Sequence, residues 1–419
     1  MYKLQKLKNG VRLITIPMSA TQTFTILVMV AAGSRHEDKE NNGISHFLEH
    51  MFFKGTNKRP DTLAISSELD KIGGEYNAFT SKEYTGYYAK VDSRNAGTAI
   101  NVIGDIFHNS KFDSREIEKE KGVILEEINM YENNPFIHID DLFEGCLYGD
   151  TPAGWDTIGT KENIKKFKRK DFIDYLNSKY QGKDIVVCLA GNFQKGDIGL
   201  AKRLFSKKEA GEKNEVYKYT ETQGGPRVKI KKQKVNQVSL SLGAGAYSYY
   251  EKNYYAAKVL GVILGGSMSS RLFIKIRERG LAYQAHTEVE AYNDSGYLTT
   301  VAGTSYDKVG RVIKTILNEY KKIKSAGVGN EELKKAKDYI KGKTILRLES
   351  SAETASWITR REILNQKILT PEDYFKIIDK IKPGDLKMVA EEIFNTNNLN
   401  LAIIGENFQE NKLKPLLKI

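Results

Sequence analysis

The sequence predicts an α+β protein with two homologous domains, each containing an antiparallel-rich sheet flanked by helices. The chain has 419 residues, which is enough for two or three domains of ordinary size. A diluted internal repeat relates its two halves, because Ile164 and Asp171 recur as Ile378 and Asp385, both 214 positions later. Each copy is followed by a helical pattern and then by an apolar strand, and segments gathered in this way are typical of α+β domains.

The elements of the two halves correspond in order. In the first half, apolar alternation and amphipathic periodicity predict strands at 24–33, 73–80, 84–91 and 184–193 and helices at 43–53, 95–109 and 113–132. In the second half, they predict strands at 237–245, 280–287, 296–302 and 399–408 and helices at 254–264, 307–326 and 330–348. The first strand of each half ends at glycine and leads into a helix, which supports the repeat.

The boundary between the halves is predicted from composition. A polar stretch rich in Lys, Glu and Gly extends from Ser206 to Arg227 and has no apolar periodicity. We therefore expect a first domain at 1–209, a linker at 210–227 and a second domain at 228–419.

The overall composition is that of an ordinary globular protein, with 40% hydrophobic and 28% charged residues. No apolar stretch approaches the roughly 18 residues that a membrane helix needs, so we expect no membrane insertion. The N-terminal residues alternate like a strand and show no signal-peptide core, which predicts a cytoplasmic location. The net charge of +12 comes with short, lysine-dominated runs and no recognisable nucleic-acid-binding module. We therefore expect a solvated basic surface and no nucleic-acid partner.

Two histidines and a glutamate lie on the first predicted helix, in the order His46, Glu49, His50. The histidines are four residues apart, so their imidazoles lie on one helical face and can share one zinc ion. Glu49 borders the same face and can take a proton from a water molecule at the metal. This H-x-x-E-H order reverses the commoner H-E-x-x-H. The apolar neighbours Phe47 and Leu48 indicate partial burial, and buried ionisable groups need partners such as a metal.

A catalytic zinc needs a third protein ligand, and a glutamate-rich helix is predicted further along the chain. Glu120 and Glu127 lie two turns apart on one face of that helix, and Val123 and Ile124 between them predict a buried stripe. The residues alone do not choose between Glu126 and Glu127 as the ligand.

His46, Glu49 and His50, followed at a distance by Glu127, resemble the inverzincin signature of the pitrilysin/insulinase family of zinc metallopeptidases. The sequence most resembles the half-length branch that includes mitochondrial processing peptidase and its bacterial relatives. The resemblance covers nearly the whole chain and includes the segments Leu7–Val11, Ala32–Glu37, Gly73–Gly74, Asn77–Thr80, Ile158–Thr160 and Leu264–Leu272.

The resemblance implies a role for each residue of the motif. His46, His50 and Glu127 would bind one Zn²⁺ per chain, and Glu49 would act as the base that activates water. Glu120 corresponds to a supporting carboxylate, which we expect to orient a ligand histidine. The resemblance also implies that each half is an antiparallel sheet flanked by helices and that the chain forms half of a clamshell around an internal chamber.

Substrate contacts are implied in the same way. Asn77, Ala78 and Phe79 resemble the edge strand that pairs with the substrate backbone, a mode in which main-chain hydrogen bonds bind any extended peptide. Arg277 and Tyr283 match an arginine and a tyrosine that reach the scissile carbonyl and stabilise its oxyanion. The spacing between them is one residue shorter than is usual in the family, so that Arg279 is the alternative to Arg277.

The predicted function is therefore zinc-dependent endopeptidase activity on peptides or unfolded polypeptides inside a dimeric chamber. The second half lacks the metal motif, which predicts an inactive, substrate-positioning domain. Because the zinc motif and the Arg/Tyr segment occur in one chain, we expect a homodimer. The alternative is a catalytically silent structural or partner subunit of a processing-peptidase-like complex.

Overall fold

The computed structural model describes residues 2–419, and the chain divides into two compact units. Unit 1 contains the residues up to Ile128, Asp156–Tyr217 and Leu346–Ile368. Unit 2 contains Asn129–Trp155, Lys218–Ile345 and Leu369–Ile419. Each unit therefore includes one segment from the other half of the sequence: Leu346–Ile368 belongs to unit 1 and Asn129–Trp155 to unit 2. Because the halves exchange these segments, a single boundary in the sequence does not separate the units. The linker at 210–227 stays a prediction.

Strands and helices follow one another throughout the described residues, often in runs of one kind. The strands are β1 (Lys3–Lys6), β2 (Arg12–Pro17), β3 (Thr23–Val30), β4 (Glu75–Thr80), β5 (Thr85–Asp92), β6 (Ile185–Gly191), β7 (Arg227–Lys231), β8 (Val238–Gly245), β9 (Gln284–Ala291), β10 (Gly296–Thr304) and β11 (Leu399–Ile404). The helices are α1 (Ile44–Met51), α2 (Thr62–Asp70), α3 (Ala96–Asn109), α4 (Ser114–Asn133), α5 (Pro135–Leu147), α6 (Lys161–Lys166), α7 (Arg169–Lys179), α8 (Lys195–Phe205), α9 (Tyr254–Gly265), α10 (Val309–Ala326), α11 (Asn330–Leu348), α12 (Ser351–Ile363), α13 (Pro371–Lys380), α14 (Pro383–Ile393) and α15 (Glu410–Leu413).

Unit 1 is built on a six-stranded sheet with the order β1-β2-β6-β3-β5-β4. Only β2 and β6 pair in parallel, and the other neighbours in the sheet are antiparallel. Strand β4 forms one edge of the sheet and pairs with β5, so that Asn77 lies opposite Tyr88 and Ala78 opposite Tyr87. The other side of β4 has no strand partner within residues 2–419.

The two faces of the central strand β3 are both covered. Phe24, Ile26 and Val28 belong to the main core of unit 1, which also contains the apolar residues of α1 and α3. Because side chains alternate along a strand, Thr25 and Leu27 point to the opposite face. Helix α12 packs on that face against β3 and β6, and the hydroxyl of its Ser351 lies 2.9 Å from the hydroxyl of Thr25.

Unit 2 repeats this topology with a five-stranded sheet in the order β7-β11-β8-β10-β9. Again one pair is parallel, β7 with β11, and the remaining pairs are antiparallel. Strands β7, β11, β8, β10 and β9 thus correspond to β2, β6, β3, β5 and β4 of unit 1. Helix α5 packs on β11, β8 and β7 of this sheet, so α5 in unit 2 and α12 in unit 1 play equivalent parts.

The predicted fold class is confirmed, since both units have an antiparallel-rich sheet flanked by helices. The strand predicted at 280–287 is displaced, because β9 begins only at Gln284. A π-helical turn at Phe273–Arg277 precedes it, and Gly280, with a φ of +65°, turns the chain back so that the Leu281 N–H reaches the Ile276 carbonyl. The helices that the sequence analysis does not predict include α2, α5, α8, α12, α13 and α15. Within residues 2–419, no helix combines the length and apolar character needed to cross a bilayer.

Candidate metal centre

Helix α1 carries the histidine pair on the side that faces away from the core. Its residues at i, i+3, i+4 and i+7 are buried in the core of unit 1, namely Ile44, Phe47, Leu48 and Met51. His46, Glu49 and His50 fall between them in the sequence and are only partly buried. An eight-residue helix is marginal by itself, so its packing into the core, worth about 1.5–3 kcal/mol for each large apolar side chain, fixes the direction of the polar side.

The beginning of α1 is defined by a glycine and a distant carboxylate. Gly43 has a φ of +99°, and a Cβ atom there would lie 2.8 Å from the Gly159 Cα, so only glycine fits. Gly43 supplies no capping side chain. The buried carboxylate of Glu37 instead accepts hydrogen bonds from the backbone N–H of Gly43 (2.9 Å) and of Ser45 (2.8 Å).

The end of α1 is anchored by Phe52, which is fully buried. Its ring packs edge-on against Tyr87, with 4.8 Å between the ring centroids, and stacks with Phe107 at 5.8 Å. Phe112 and Tyr180 complete the cluster at 5.6 and 5.7 Å. Both ends of the helix are thus held, which fixes the position of the two imidazoles.

Helix α4 supplies the carboxylates. It buries one stripe of residues, Ile117, Glu120, Ile124 and Ile128. Glu127 lies beside this stripe and is half-buried, whereas Glu126 is exposed. The expected burial of Val123 is wrong, because 51% of this residue is exposed. Of the two adjacent glutamates, Glu127 turns towards α1 and Glu126 does not. The structure therefore distinguishes between two residues that the sequence alone could not separate.

The donor atoms of His46, His50 and Glu127 converge and lie within 4.8 Å of one another. His46 Nε2 is 3.7 Å from Glu127 Oε1, and His50 Nε2 is 3.5 Å from Glu127 Oε2. Zinc bound tetrahedrally at about 2.0–2.2 Å separates its ligand atoms by about 3.3–3.6 Å. The spacing and the two-nitrogen, one-oxygen donor set therefore fit a zinc ion, which no other group of the described residues 2–419 does.

The electrostatics of the two imidazoles differ. Burial lowers the pKa of His46 to about 3, with a smaller contribution from His50. Burial also lowers the pKa of His50, but its hydrogen bond to Glu120 and the charges of Glu127, Glu120 and Glu49 outweigh this effect and raise the pKa above its ordinary value. Burial raises the pKa of Glu127. These partly buried carboxylates leave an excess of negative charge that a divalent cation would neutralise.

Glu120 is 4% exposed and connects His50 to a lysine. Its Oε1 lies 2.9 Å from His50 Nδ1, and its Oε2 lies 2.5 Å from the Lys54 ammonium. Burial raises the pKa of Glu120, but these two contacts outweigh it and lower the pKa. An ionised Glu120 accepts the Nδ1–H of His50 and leaves Nε2 as the free ring nitrogen beside Glu127. No pattern in the sequence points to this role of Lys54.

Glu49 lies next to the histidine pair and is held by a strand. Thr80 donates a hydrogen bond to Glu49 Oε2 at 2.5 Å, and no hydrogen bond to Oε1 is found in the described part of the chain. Burial raises the pKa of Glu49, and the Thr80 hydrogen bond reduces this shift. The free oxygen can therefore receive a proton while the other fixes the carboxylate. The sequence predicts that Thr80 belongs to the edge strand, but it does not predict the hydrogen bond from Thr80 to Glu49.

The edge strand β4 presents backbone groups to solvent. Ser81 donates to the Tyr84 carbonyl at 2.9 Å, and alternation along an antiparallel ladder then directs the backbone of Asn77 and Phe79 towards β5 and that of Ala78 to the free edge. In agreement, the Ala78 N–H donates to the side chain of Asn77 at 2.9 Å. The three predicted substrate-contact residues thus lie on one strand that can accept a further strand.

Arg277 and Tyr283 lie together in unit 2. The Arg277 guanidinium is 4.9 Å from the centre of the Phe273 ring and 5.9 Å from that of Tyr283. Tyr283 is 74% exposed, and its N–H donates to the Gly303 carbonyl at 3.1 Å. Arg279 instead lines a cavity beside α10. The geometry favours Arg277 as the partner of Tyr283.

Family models match both halves of the chain. Residues 12–161 match the family described as Insulinase (Peptidase family M16), and residues 166–340 match the Peptidase M16 inactive domain. The chain belongs to peptidase family M16.

Its relatives cover the chain almost completely. It is similar to the uncharacterized zinc protease YmxG of Bacillus subtilis, with 36% identity over 97% of this chain and 98% of the relative. An uncharacterized zinc protease of Rickettsia felis is 35% identical over the same shares of the two chains. Among solved structures, a protease from Helicobacter pylori has the same fold, with a TM-score of 0.91 at 24% identity and coverage of 97% of this chain and 99% of that one.

Proposed function

We propose that this protein is a zinc-dependent endopeptidase that hydrolyses peptides or unfolded polypeptides. The observation that carries the proposal is the convergence of His46 Nε2, His50 Nε2 and the Glu127 carboxylate, with Glu49 beside them. Relatives that match over nearly the full length and are named zinc proteases support it.

Each residue of the centre has a separate task. His46, His50 and Glu127 would hold one Zn²⁺ per chain, and Glu120 and Lys54 orient His50. When bound, zinc polarises the scissile carbonyl and makes a water molecule more acidic. Glu49 takes the proton of that water with its free oxygen and delivers it to the leaving amine. The raised pKa of Glu49 suits this exchange, because a carboxyl with a higher pKa gives the proton back more readily after accepting it.

The substrate would bind as an added strand on the free edge of β4. The backbone of Ala78 faces that edge, and the Asn77 side chain can release the Ala78 N–H to a substrate carbonyl. This mode reads the main chain, so it requires an extended segment and excludes a folded one. Arg277 and Tyr283 are proposed to orient the scissile carbonyl region and to stabilise its oxyanion.

Substitution of the base tests the proposal. Glu49→Gln keeps the shape of the side chain and the zinc ligands, so zinc content measured by elemental analysis stays at one ion per chain. Cleavage of a mixed peptide library, followed by mass spectrometry, falls by about 10²–10⁴-fold. The matched control is Glu126→Gln, an exposed neighbour of the ligand, which cleaves normally. Wild-type cleavage by Glu49→Gln, or no bound zinc in the wild-type protein, contradicts the proposal.

The proposed assembly follows from what one chain contains. Since one chain carries both the metal centre and the Arg277–Tyr283 pair, a homodimer is the simplest working assembly, and mass measurement in solution tests it. A cytoplasmic location stays a prediction. A silent partner subunit is not favoured, because His46, Glu49, His50 and Glu127 are all present and brought together.

A further inference from the structure

A basic cavity in unit 2 has no role in the chemistry described above. Its volume is about 440 Å³, within the range of ligand-binding pockets. Five cationic side chains and one acidic side chain line it: Lys275, Arg279, Arg311, Lys314, Lys322 and Glu319. Such an excess of like charges around one cavity raises the local concentration of anions.

One face of α10 forms a wall of this cavity. Arg311, Lys314, Asn318 and Lys322 recur at i, i+3, i+7 and i+11, which is the repeat of a single helical face. The opposite side of α10 is apolar and packs into unit 2 through residues such as Ile316 and Tyr320. The cationic face is therefore fixed in direction by the burial of the other one.

The acidic residue of the cavity is already paired. Glu319 is 2% exposed, forms an ion pair with Lys275 and lies 3.4 Å from Lys322. By contrast, Arg279, Arg311 and Lys314 make no ion pair within the described residues. These three side chains are exposed, so they are available to a ligand without breaking a contact in the protein.

Arg279 is positioned by the same turn that leads to Tyr283. The Gly280 carbonyl accepts a hydrogen bond from Lys308 at 3.1 Å, and the Gly280 N–H donates to the Arg277 carbonyl at 2.9 Å. Arg279, which lines the cavity, therefore lies four residues before Tyr283 in the sequence, and Tyr283 is one of the two residues proposed to contact the substrate. A peptide lying along this turn can place its side chains in the cavity.

We propose that this cavity is a specificity site that binds a run of acidic residues in the substrate, a proposal that rests on the peptidase function proposed above. The cavity carries an excess of four positive charges. A single carboxylate does not neutralise this charge, but several consecutive Asp or Glu residues can. The amide of Asn318 lines it as well and offers neutral hydrogen bonds to carboxylate oxygens. The enzyme therefore prefers acidic unfolded segments.

Binding to the zinc-loaded Glu49→Gln protein tests this site without hydrolysis. The probes are two labelled peptides of equal length, one with a run of glutamates and one with glutamines in their place, measured by fluorescence anisotropy. We expect the glutamate peptide to bind about tenfold more tightly than the glutamine peptide in low salt, because two or three exposed charge pairs together contribute a free energy of this size. Added salt should weaken the binding of the glutamate peptide more than that of the glutamine peptide. Arg311→Glu/Lys314→Glu in the same background lowers the ratio of the two dissociation constants to about one.

The control Lys412→Glu/Lys418→Glu makes the same change in net charge at exposed lysines of unit 2 outside the cavity and keeps the preference. Equal affinities for the two peptides, or a preference that survives Arg311→Glu/Lys314→Glu, overturns the proposal. Inorganic triphosphate that binds the cavity while both peptides bind alike also overturns it, because the site then takes a free anion.

Cleavage of the same two peptides by the wild-type protein separates this proposal from the peptidase function. Cleavage of both at equal rates, with equal binding, leaves the function standing and removes the specificity site. Binding selectivity for the glutamate peptide without any cleavage leaves the site standing and removes the function.

Discussion

Removal of the Glu37 carboxylate is expected to destabilise the metal helix from outside the metal centre. The two oxygens of this buried carboxylate accept three hydrogen bonds, from the N–H groups of Gly43 and Ser45 and from the Asn42 side chain at 3.0 Å. The first two donors belong to the start of α1, which has no capping side chain of its own. Burial raises the pKa of Glu37, and the hydrogen bonds reduce that shift.

The expected magnitude follows from the donors left unpaired. In Glu37→Gln, the amide oxygen can face Gly43 and Asn42, which leaves the Ser45 N–H against the amide nitrogen and costs about 1–3 kcal/mol. In Glu37→Ala, all three donors lose their acceptor. Relief from burying a charge offsets part of this loss, so we expect about 3–5 kcal/mol of destabilisation.

Urea unfolding followed by circular dichroism measures both variants, and competition with a chelator measures their zinc affinity. Glu40→Ala is the matched control, because it removes an exposed glutamate from the same loop. We expect unfolding free energies in the order wild type, Glu37→Gln, Glu37→Ala, with the control at the wild-type value and zinc affinity falling in the same order. A Glu37→Ala protein as stable as the control would refute the capping argument.

Two further predictions concern Lys54 and Asp140. Lys54→Gln removes the cation that holds Glu120 against His50, so zinc affinity in chelator competition falls by about 10–100-fold, and an unchanged affinity would contradict this role. Burial, with Glu288 and Glu144 nearby, raises the pKa of Asp140 to about 7. The pKa of Asp140 is higher in the folded than in the unfolded protein, so protonation of Asp140 favours the folded state. This contribution to stability is fully present below the unfolded pKa and is lost as the pH rises through the folded pKa of about 7. Asp140→Asn imitates the protonated form, so calorimetry should show a smaller fall in Tm between about pH 5 and pH 8 than in the wild type; an equal fall would exclude Asp140 as its source.

The features that sequence predicted well are those set by local spacing. The pair His46 and His50 is read from a helical repeat, and the strands β3 and β6 from apolar runs. The repeat of the two sheets was also visible, because equivalent elements keep their order along the chain. These features depend on contacts between neighbours in sequence, which a single chain displays directly.

The features that sequence could not settle depend on which faces meet in the fold. Glu126 and Glu127 are adjacent and differ only in which side of α4 the core covers, although the burial of Ile117, Ile124 and Ile128 at helical spacing was a usable signal. Lys54 and Thr80 gained their roles from a helix and a strand that are brought together only by the tertiary fold. The exchange of α5 and α12 leaves no local trace, because an amphipathic helix does not specify the sheet that it covers.

The exchanged helix α12 has a consequence for any attempt to divide this polypeptide. A fragment that stops at residue 217 carries the complete histidine–glutamate cluster but lacks Ser351–Ile363. The far side of β3 and β6, including Leu27, Met29 and Val186, would then lose its cover and meet water. Such a fragment should aggregate unless the missing helix is supplied as a separate peptide. The two halves of the chain could therefore not be produced as separate soluble proteins unless the exposed apolar residues were replaced by polar ones.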